Sequence, residues 1–423
     1  MEEVIPLAEP VEASGSFFGR FDGLSGRCFS RGGTMYDFDR VVSRRGTDSL
    51  KWNVGENELP MWVADMDFPA APCVREALEA RLAHGIFGYS EVPGAWYDAY
   101  IGWWRDRHGF TMEKNWLLFV TGVVPAISSA VRKLTTPNEN VLIQTPVYNI
   151  FYNSILNNGC RVQESPLIYA DGAYSIDFDN LDAKMSDPQT NLMILCNPHN
   201  PVGRIWTKEE LARIGELAAK HHVTVLSDEI HCDLTEPGKG YVPFASVSET
   251  CRRVSISCLA PTKAFNLAGL QTAAVSVPDP FLRPKIWRAI NTDEVAEPNA
   301  FACEAAIAAF TKGGPWLDEL RAYLWENRRR VEEVIRERLP QCRAVKAEAT
   351  YLLWLDVGAV GDGATLAKRL REKTGLIVSA GSAYGKAGEN FLRINLACPR
   401  ETLEDGLERL AEGLVTSRPH PVM

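Results

Sequence analysis

The sequence predicts an α/β fold, a mainly parallel sheet lying between helices, followed by a smaller α+β region. Three observations carry this. Apolar runs of strand length alternate with helical stretches through the middle of the chain. Several of those runs are apolar at successive positions, as in strands covered on both faces. The 423 residues also exceed the roughly 250 to 300 that a single core serves, so two subdomains are expected.

Taken in order, residues 1–33 are rich in Gly, Ser and Phe without a period and read as an extension or an arm packed on a neighbour. Ordered structure is expected from about Tyr36. From Pro72 the positions Val74, Ala77, Leu78 and Leu82 recur at helical spacing, and a second helix carries Trp96, Tyr100, Trp103 and Trp104. The strand runs are Leu117–Val120, Val141–Gln144, Leu192–Leu195, Val223–Ser227, Val254–Ser257 and Ala273–Val277, with helices such as Lys208–Lys220 between them. After Gly313-Gly314-Pro315 comes a long charged helix, Trp316–Leu339. The strand Tyr351–Leu355, a helix near Thr365–Lys373, the strand Phe391–Asn395 and a last helix from Glu401 complete the chain.

Composition narrows the function. Lys plus Arg number 45 against 54 Asp plus Glu, a formal charge of -9, and no basic run or helix-turn-helix segment suggests a nucleic-acid partner. The ten cysteines are scattered, without CxxC pairs or Cys/His clusters at zinc spacing. They read as small core hydrophobes of a reducing compartment, with neither a disulfide framework nor a structural metal. The acidic start Met1-Glu-Glu-Val-Ile-Pro is unlike a secretory signal, so the cytoplasm is the expected location. The longest apolar stretch, Trp116–Val131, is broken by Gly122, Pro125 and two serines and is too short for a membrane span.

Five segments could carry chemistry. Lys263, after Thr262, and Asp228, at the end of a strand run, suit pyridoxal phosphate (PLP): a lysine amine forms a Schiff base with the cofactor aldehyde, and an aspartate keeps the pyridine nitrogen protonated. Thr121-Gly-Val-Val-Pro-Ala126 opens a helix directly after a strand, where free N–H groups suit phosphate, although glycine is also common in ordinary strand-to-helix turns. Tyr148 in Thr145-Pro-Val-Tyr148 could stack on a flat ring or be a core tyrosine. In Cys196-Asn-Pro-His-Asn-Pro-Val-Gly203 two Asn-Pro pairs make a rigid turn with side-chain amides to spare.

In this order, TGVVPA, TPVY, NPHNPVG, SDEIH and APTKAFNLAGLQ, with FLRINLACPR near the end, the motifs resemble the fold-type I PLP enzymes of the class I/II aminotransferase superfamily. Within it, Pro60–Phe68 (PMWVADMDF), Phe87–Ser90 (FGYS), Asp228–His231 and Asn266–Leu270 look like the MalY/PatB-type cystathionine β-lyases, and the likeness runs from about Tyr36 to Leu410. The resemblance implies a seven-stranded sheet in a large PLP-binding domain (72–314), an arm with part of the small domain (34–71), and a small C-terminal domain (315–423). It makes Lys263 the Schiff-base lysine, Asp228 the partner of the pyridine nitrogen, Asn200 a donor to the phenolic oxygen and a neighbour of the substrate, and Tyr148 the stacking ring with a catalytic part. The N–H groups of Val123 and Val124, with Thr262, would hold the phosphate, and Tyr89 would reach the phosphate of a neighbouring subunit in a homodimer. Arg393 would grip the substrate carboxylate, a task suited to guanidinium geometry. Two positions depart from the general aminotransferase pattern: His231 replaces a tyrosine and Gln271 an arginine. Both fit the lyase branch, with His231 either bonding the cofactor or serving structure.

The function implied is α,β-elimination from L-cystathionine or another S-substituted L-cysteine, giving a thiol, pyruvate and ammonia. Transamination on the same scaffold and a PLP-binding regulatory protein acting through protein contacts are the competing readings. Trp62, the segment 291–299 and Tyr384 are candidate pocket walls.

Overall fold

The computed structural model describes residues 35–414, and the extension at residues 1–33 lies outside the described residues. Two helices come first, α1 (Pro72–His84) and α2 (Gly94–His108). α1 starts with proline in its first turn and stops at Gly85, which takes the left-handed conformation that a side chain resists. α2 buries Trp96, Tyr100, Trp103 and Trp104, as its spacing requires. α1 buries Val74, leaves Ala77 and Leu78 half-buried and has Leu82 exposed at its far end, so its apolar face is covered only in part among the described residues.

The main sheet has seven strands: β1 (Leu117–Val120), β2 (Asn140–Ile143), β3 (Arg161–Glu164), β4 (Thr190–Cys196), β5 (Thr224–Asp228), β6 (Ser255–Leu259) and β7 (Ala273–Ser276). Their spatial order is β1-β7-β6-β5-β4-β2-β3. β7 runs antiparallel to both neighbours, and the other pairs are parallel. The mainly parallel seven-stranded sheet is therefore as expected, with six strands displaced by at most two residues at either end. β3 has no counterpart among the strand runs read from sequence. It is an edge strand with Val162 as its single aliphatic residue, so no apolar run marks it.

Helices cover both faces. α3 (Val123–Leu134) packs on one, within a cluster holding Val120, Ile127, Val141, Ile194, Leu226 and Ile256. α4 (Lys208–Lys220) packs on the other with Leu211 and Ile214, and begins at a reciprocal cap between Thr207 and Glu210.

A second sheet of four antiparallel strands comes next: β8 (Arg343–Ala344), β9 (Leu352–Asp356), β10 (Ser379–Ala380) and β11 (Phe391–Asn395), in the order β8-β9-β11-β10. α5 (Gly314–Arg338), α6 (Gly363–Thr374) and α7 (Arg400–Leu414) cover it with Val331, Leu370 and Leu407. α5 begins two residues before the expected Trp316 and ends one before Leu339. Among the described residues no helix is long and apolar enough to cross a membrane. Eight of the nine described cysteines are buried thiols.

The segment 59–67 ties the two sheets together. Leu59-Pro60 pairs in parallel with Leu376-Ile377, and Asn395 N–H donates to Met61 O at 2.8 Å. Farther along, Asn266 donates through Nδ2 to Met66 O and Phe68 O and accepts Met66 N–H, fastening the segment to the loop after β6.

Candidate functional site

Six strands of the main sheet, β1 to β6, run the same way, so their carboxyl ends share one edge, where ligands of α/β sheets bind. A cavity of about 270 Å3 opens there. Val123, Val124, Tyr148, Asn200, Asp228, His231, Thr262 and Lys263 all line it, eight of the ten residues singled out from sequence.

Each arrives by a local cause. β1 ends at Val120, Gly122 turns the chain into α3, and no side chain caps that helix start, which leaves the first N–H groups facing the cavity. Tyr148 and Asn200 meet because Tyr148 N–H donates to Asn200 O at 3.1 Å. The peptide bonds preceding Pro146, Pro198 and Pro201 are cis. Asp228 closes β5, flanked in register by Cys196 on β4 and Cys258 on β6.

The electrostatics are those of charges held out of water with few partners. Asp228 is buried, and its carboxylate accepts the N–H of Ile230 at 3.1 Å and no other hydrogen bond among the described residues; burial pushes its carboxyl up to about 6, with the Ile230 amide and Lys263 acting the other way. Lys263 donates to Ala64 O at 2.5 Å, and burial of its amine, then Arg393, lowers it to about 8. Ala64 O also accepts the Tyr351 hydroxyl at 2.9 Å. His231 is buried with Nδ1 unpartnered, and burial followed by Lys263 and Arg393 lowers it to about 3, so its ring is neutral. Burial raises the Tyr148 phenol to about 12, so it stays protonated.

Arg393 stands beside the cavity on β11. Its guanidinium donates to Asn200 Oδ1 at 3.3 Å and Trp62 O at 2.9 Å, lies 4.7 Å from the Tyr384 ring centroid, and leaves Nε unpartnered. Trp62 and Tyr384 thus surround Arg393. The segment 291–299 is elsewhere: Val295 O accepts Thr121 N–H, and Asn299 lies in a separate surface depression with Phe87 and Tyr89. Tyr89 is fully exposed and outside the cavity of its own chain.

Sequence reasoning did not find Ala64 or Tyr351. Ala64 acts through its backbone carbonyl, which no side-chain signal announces; PMWVADMDF marked the segment without revealing the contact. Tyr351 directly precedes β9 and opens the expected strand Tyr351–Leu355, an apolar run that reads as core.

The parts fit PLP. A helix start with free N–H groups beside the Thr262 hydroxyl suits a phosphate, a buried carboxylate with an open oxygen suits a ring cation, and a lysine at lowered pKa suits an aldehyde. The family model of aminotransferase class I and II matches residues 51–410. Cystathionine beta-lyase PatB of Bacillus subtilis is 45% identical over 385 residues, covering 89% of this chain and all of PatB. Protein MalY of Escherichia coli is 32% identical, covering 90% of this chain and 99% of MalY. Among solved structures, cystalysin from Treponema denticola, which contains a PLP cofactor, superposes with a TM-score of 0.87 at 33% identity, over 90% of this chain and 98% of cystalysin. With the fold, the cavity and the match over most of its length in agreement, this chain belongs to the class I and II aminotransferases, in the branch that includes PatB and MalY.

Proposed function

We propose that the chain is a PLP-dependent carbon–sulfur β-lyase that cleaves L-cystathionine or another S-substituted L-cysteine to a thiol, pyruvate and ammonia. The observation that carries this reading is the joining of Lys263, Asp228 and the uncapped start of α3 in one cavity, with Arg393 at its edge. The names of PatB, of the Corynebacterium glutamicum cystathionine beta-lyase and of the Staphylococcus hominis C-S lyase support it.

Bound in the cavity, PLP supplies an aldehyde that takes up amines and a ring that accepts the electrons of a broken C–H bond. Val123 and Val124 N–H and the Thr262 hydroxyl would hold its phosphate, Asp228 the positive charge on its ring nitrogen, Asn200 Nδ2 its phenolic oxygen, and Tyr148 one ring face. His231 Nδ1 is free to bond the same group. Arg393 holds the substrate carboxylate, orienting Cα toward Lys263. The amine of Lys263, lowered to about 8, exists partly as the free base near neutrality and takes the Cα proton. The same lysine as an ammonium can return that proton to the leaving sulfur.

The chain is also proposed to work in the cytoplasm as a homodimer in which Tyr89 of the partner subunit completes the phosphate site. Supporting the dimer, Leu82, Ile86, Phe87 and Tyr89 are all exposed on one stretch of chain.

The test supplies L-cystathionine and S-alkyl-cysteines to wild type and Lys263→Ala and measures thiol and pyruvate. Equal amounts of both from wild type, with no 2-oxo acid added and none from the variant, are expected. Turnover that requires a 2-oxo acid would replace the lyase reading with transamination.

A further inference from the structure

Among the described residues one lysine and two arginines are buried: Lys51, Arg328 and Arg393. Lys51 pairs with Asp67 at 2.6 Å. Arg393 forms no salt bridge, which suits a group awaiting a substrate carboxylate. Arg328 on α5 is in the same condition outside that cavity. It donates through Nη2 to Leu352 O at 2.8 Å, forms no salt bridge, and leaves Nη1 buried without a partner. An unpaired buried guanidinium is unfavourable, and the fold would be expected to avoid one that serves nothing.

Arg328 lines a cleft of about 850 Å3 that shares no residue with the Lys263 cavity. Its surroundings are ordered by charge. Glu332 lies one helical turn further along α5 and Glu236 on the facing loop, and both act on Arg328 electrostatically, partly offsetting the effect of burial on its proton. Trp325, whose ring centroid is 5.6 Å from the guanidinium carbon, and Tyr174 supply aromatic surface. Glu348 is already engaged by Arg204 and Lys239, at 3.0 Å each, and Glu236 by Lys239 at 3.3 Å, which leaves Glu332, among the described residues, as the acidic group of the cleft without a salt bridge beside Arg328.

We propose that this cleft is a second binding site, taking a free α-amino acid whose carboxylate meets Arg328, whose ammonium meets Glu332, and whose side chain lies against Trp325 and Tyr174. A guanidinium with acidic groups beside it matches a zwitterion better than a simple anion, which those carboxylates repel. The aromatic walls favour an apolar side chain over glycine.

The test is calorimetry on the PLP-loaded protein with L-leucine, L-phenylalanine, glycine and propionate, alongside absorbance of the cofactor, which reports occupation of the Lys263 cavity separately. Wild type is expected to bind leucine or phenylalanine at a site whose saturation leaves the absorbance unchanged, with glycine and propionate weaker. Arg328→Gln should weaken that binding at least about tenfold, while the absorbance titration is unaltered. Glu332→Gln, at a half-buried helix position, should weaken leucine but not propionate, and it keeps the question open to test if Arg328→Gln fails to fold. Binding that follows the absorbance change alone in wild type, or that is equal in wild type and both variants, would overturn the proposal.

Discussion

Asp67 and Asp228 are both buried carboxylates, and their surroundings are opposite. Asp67 accepts from Arg44 at 2.9 Å, Lys51 at 2.6 Å and the Trp52 indole at 2.8 Å, and its own N–H is bonded to Ala397 O. Asp228 has the Ile230 amide. The same functional group is a rivet in one place and a receptor in the other, and the number of donors supplied by the chain makes the difference. Where partners are complete, the energy has gone into holding segments together. Where they are withheld, the site keeps unmet interaction for a ligand, and stability bears the cost.

The largest test of that contrast is Lys263→Ala. Losing the group proposed to move the Cα proton should lower pyruvate formation by at least about 10^4-fold, yet the cofactor-free fold should be as stable as wild type or more so. The lysine's folded pKa, about 8, lies below its ordinary 10.5, so its stability penalty is full below about pH 8 and fades as pH rises from there through 10.5. Urea unfolding of the two proteins at pH 7 and 10 checks both statements, and a large loss of stability in the variant would break the comparison.

At Asp67 the opposite is expected. Lys51→Met should destabilise the protein by about 3–5 kcal/mol, since it strips a cation from a buried pair, while kcat per folded molecule changes little. Denaturant midpoints read the first, and kinetics on the folded fraction read the second.

Asp228→Asn gives a smaller shift with a distinctive pH dependence. Because the folded carboxyl titrates near 6 rather than 3.8, it weakens the cofactor-free fold above that range and ceases to do so as pH falls from about 6 through 3.8. The variant should therefore be more stable at pH 7 by on the order of 2–3 kcal/mol, converge on wild type near pH 4, and be much the poorer catalyst. Stability that is equal at both pH values would argue against an open carboxylate.

The mildest change, Tyr351→Phe, removes one of the two donors on Ala64 O. A loss of about 0.5–1.5 kcal/mol is expected, with a modest fall in kcat as the carbonyl is left to Lys263 alone. Thermal unfolding and steady-state kinetics measure these.

Much of this was legible in the sequence because it was local. Strands buried on both faces declare themselves as apolar runs, and the residues at their carboxyl ends follow in fixed positions, which is why Asp228, Asn200 and the α3 start could be named. β3 could not, because an edge strand needs neither apolar face. Nor could the Asp67 cluster: Arg44, Lys51 and Asp67 are polar residues in a stretch without period, and only the folded path reveals that they neutralise one another. Arg328 was hidden for a related reason. In a helix as charged as α5 one arginine looks like any other until its burial is known.

The segment 59–67 also sets an order of assembly. Its carbonyl at Ala64 meets Lys263, almost two hundred residues on, and its neighbours at Met61 and Asp67 are bonded to Asn395 and Ala397 near the far end. Contacts this distant in sequence form late, after the loops between them have closed. A growing chain that has just completed Lys263 therefore has the floor of the cavity but lacks the bonds from Asn395 and Ala397 that seat the segment above it. Substrate capture becomes a signal of completion, and a chain cut short before β11 should keep most of its helix content while lacking Arg393 and the bonds that seat Met61 and Asp67.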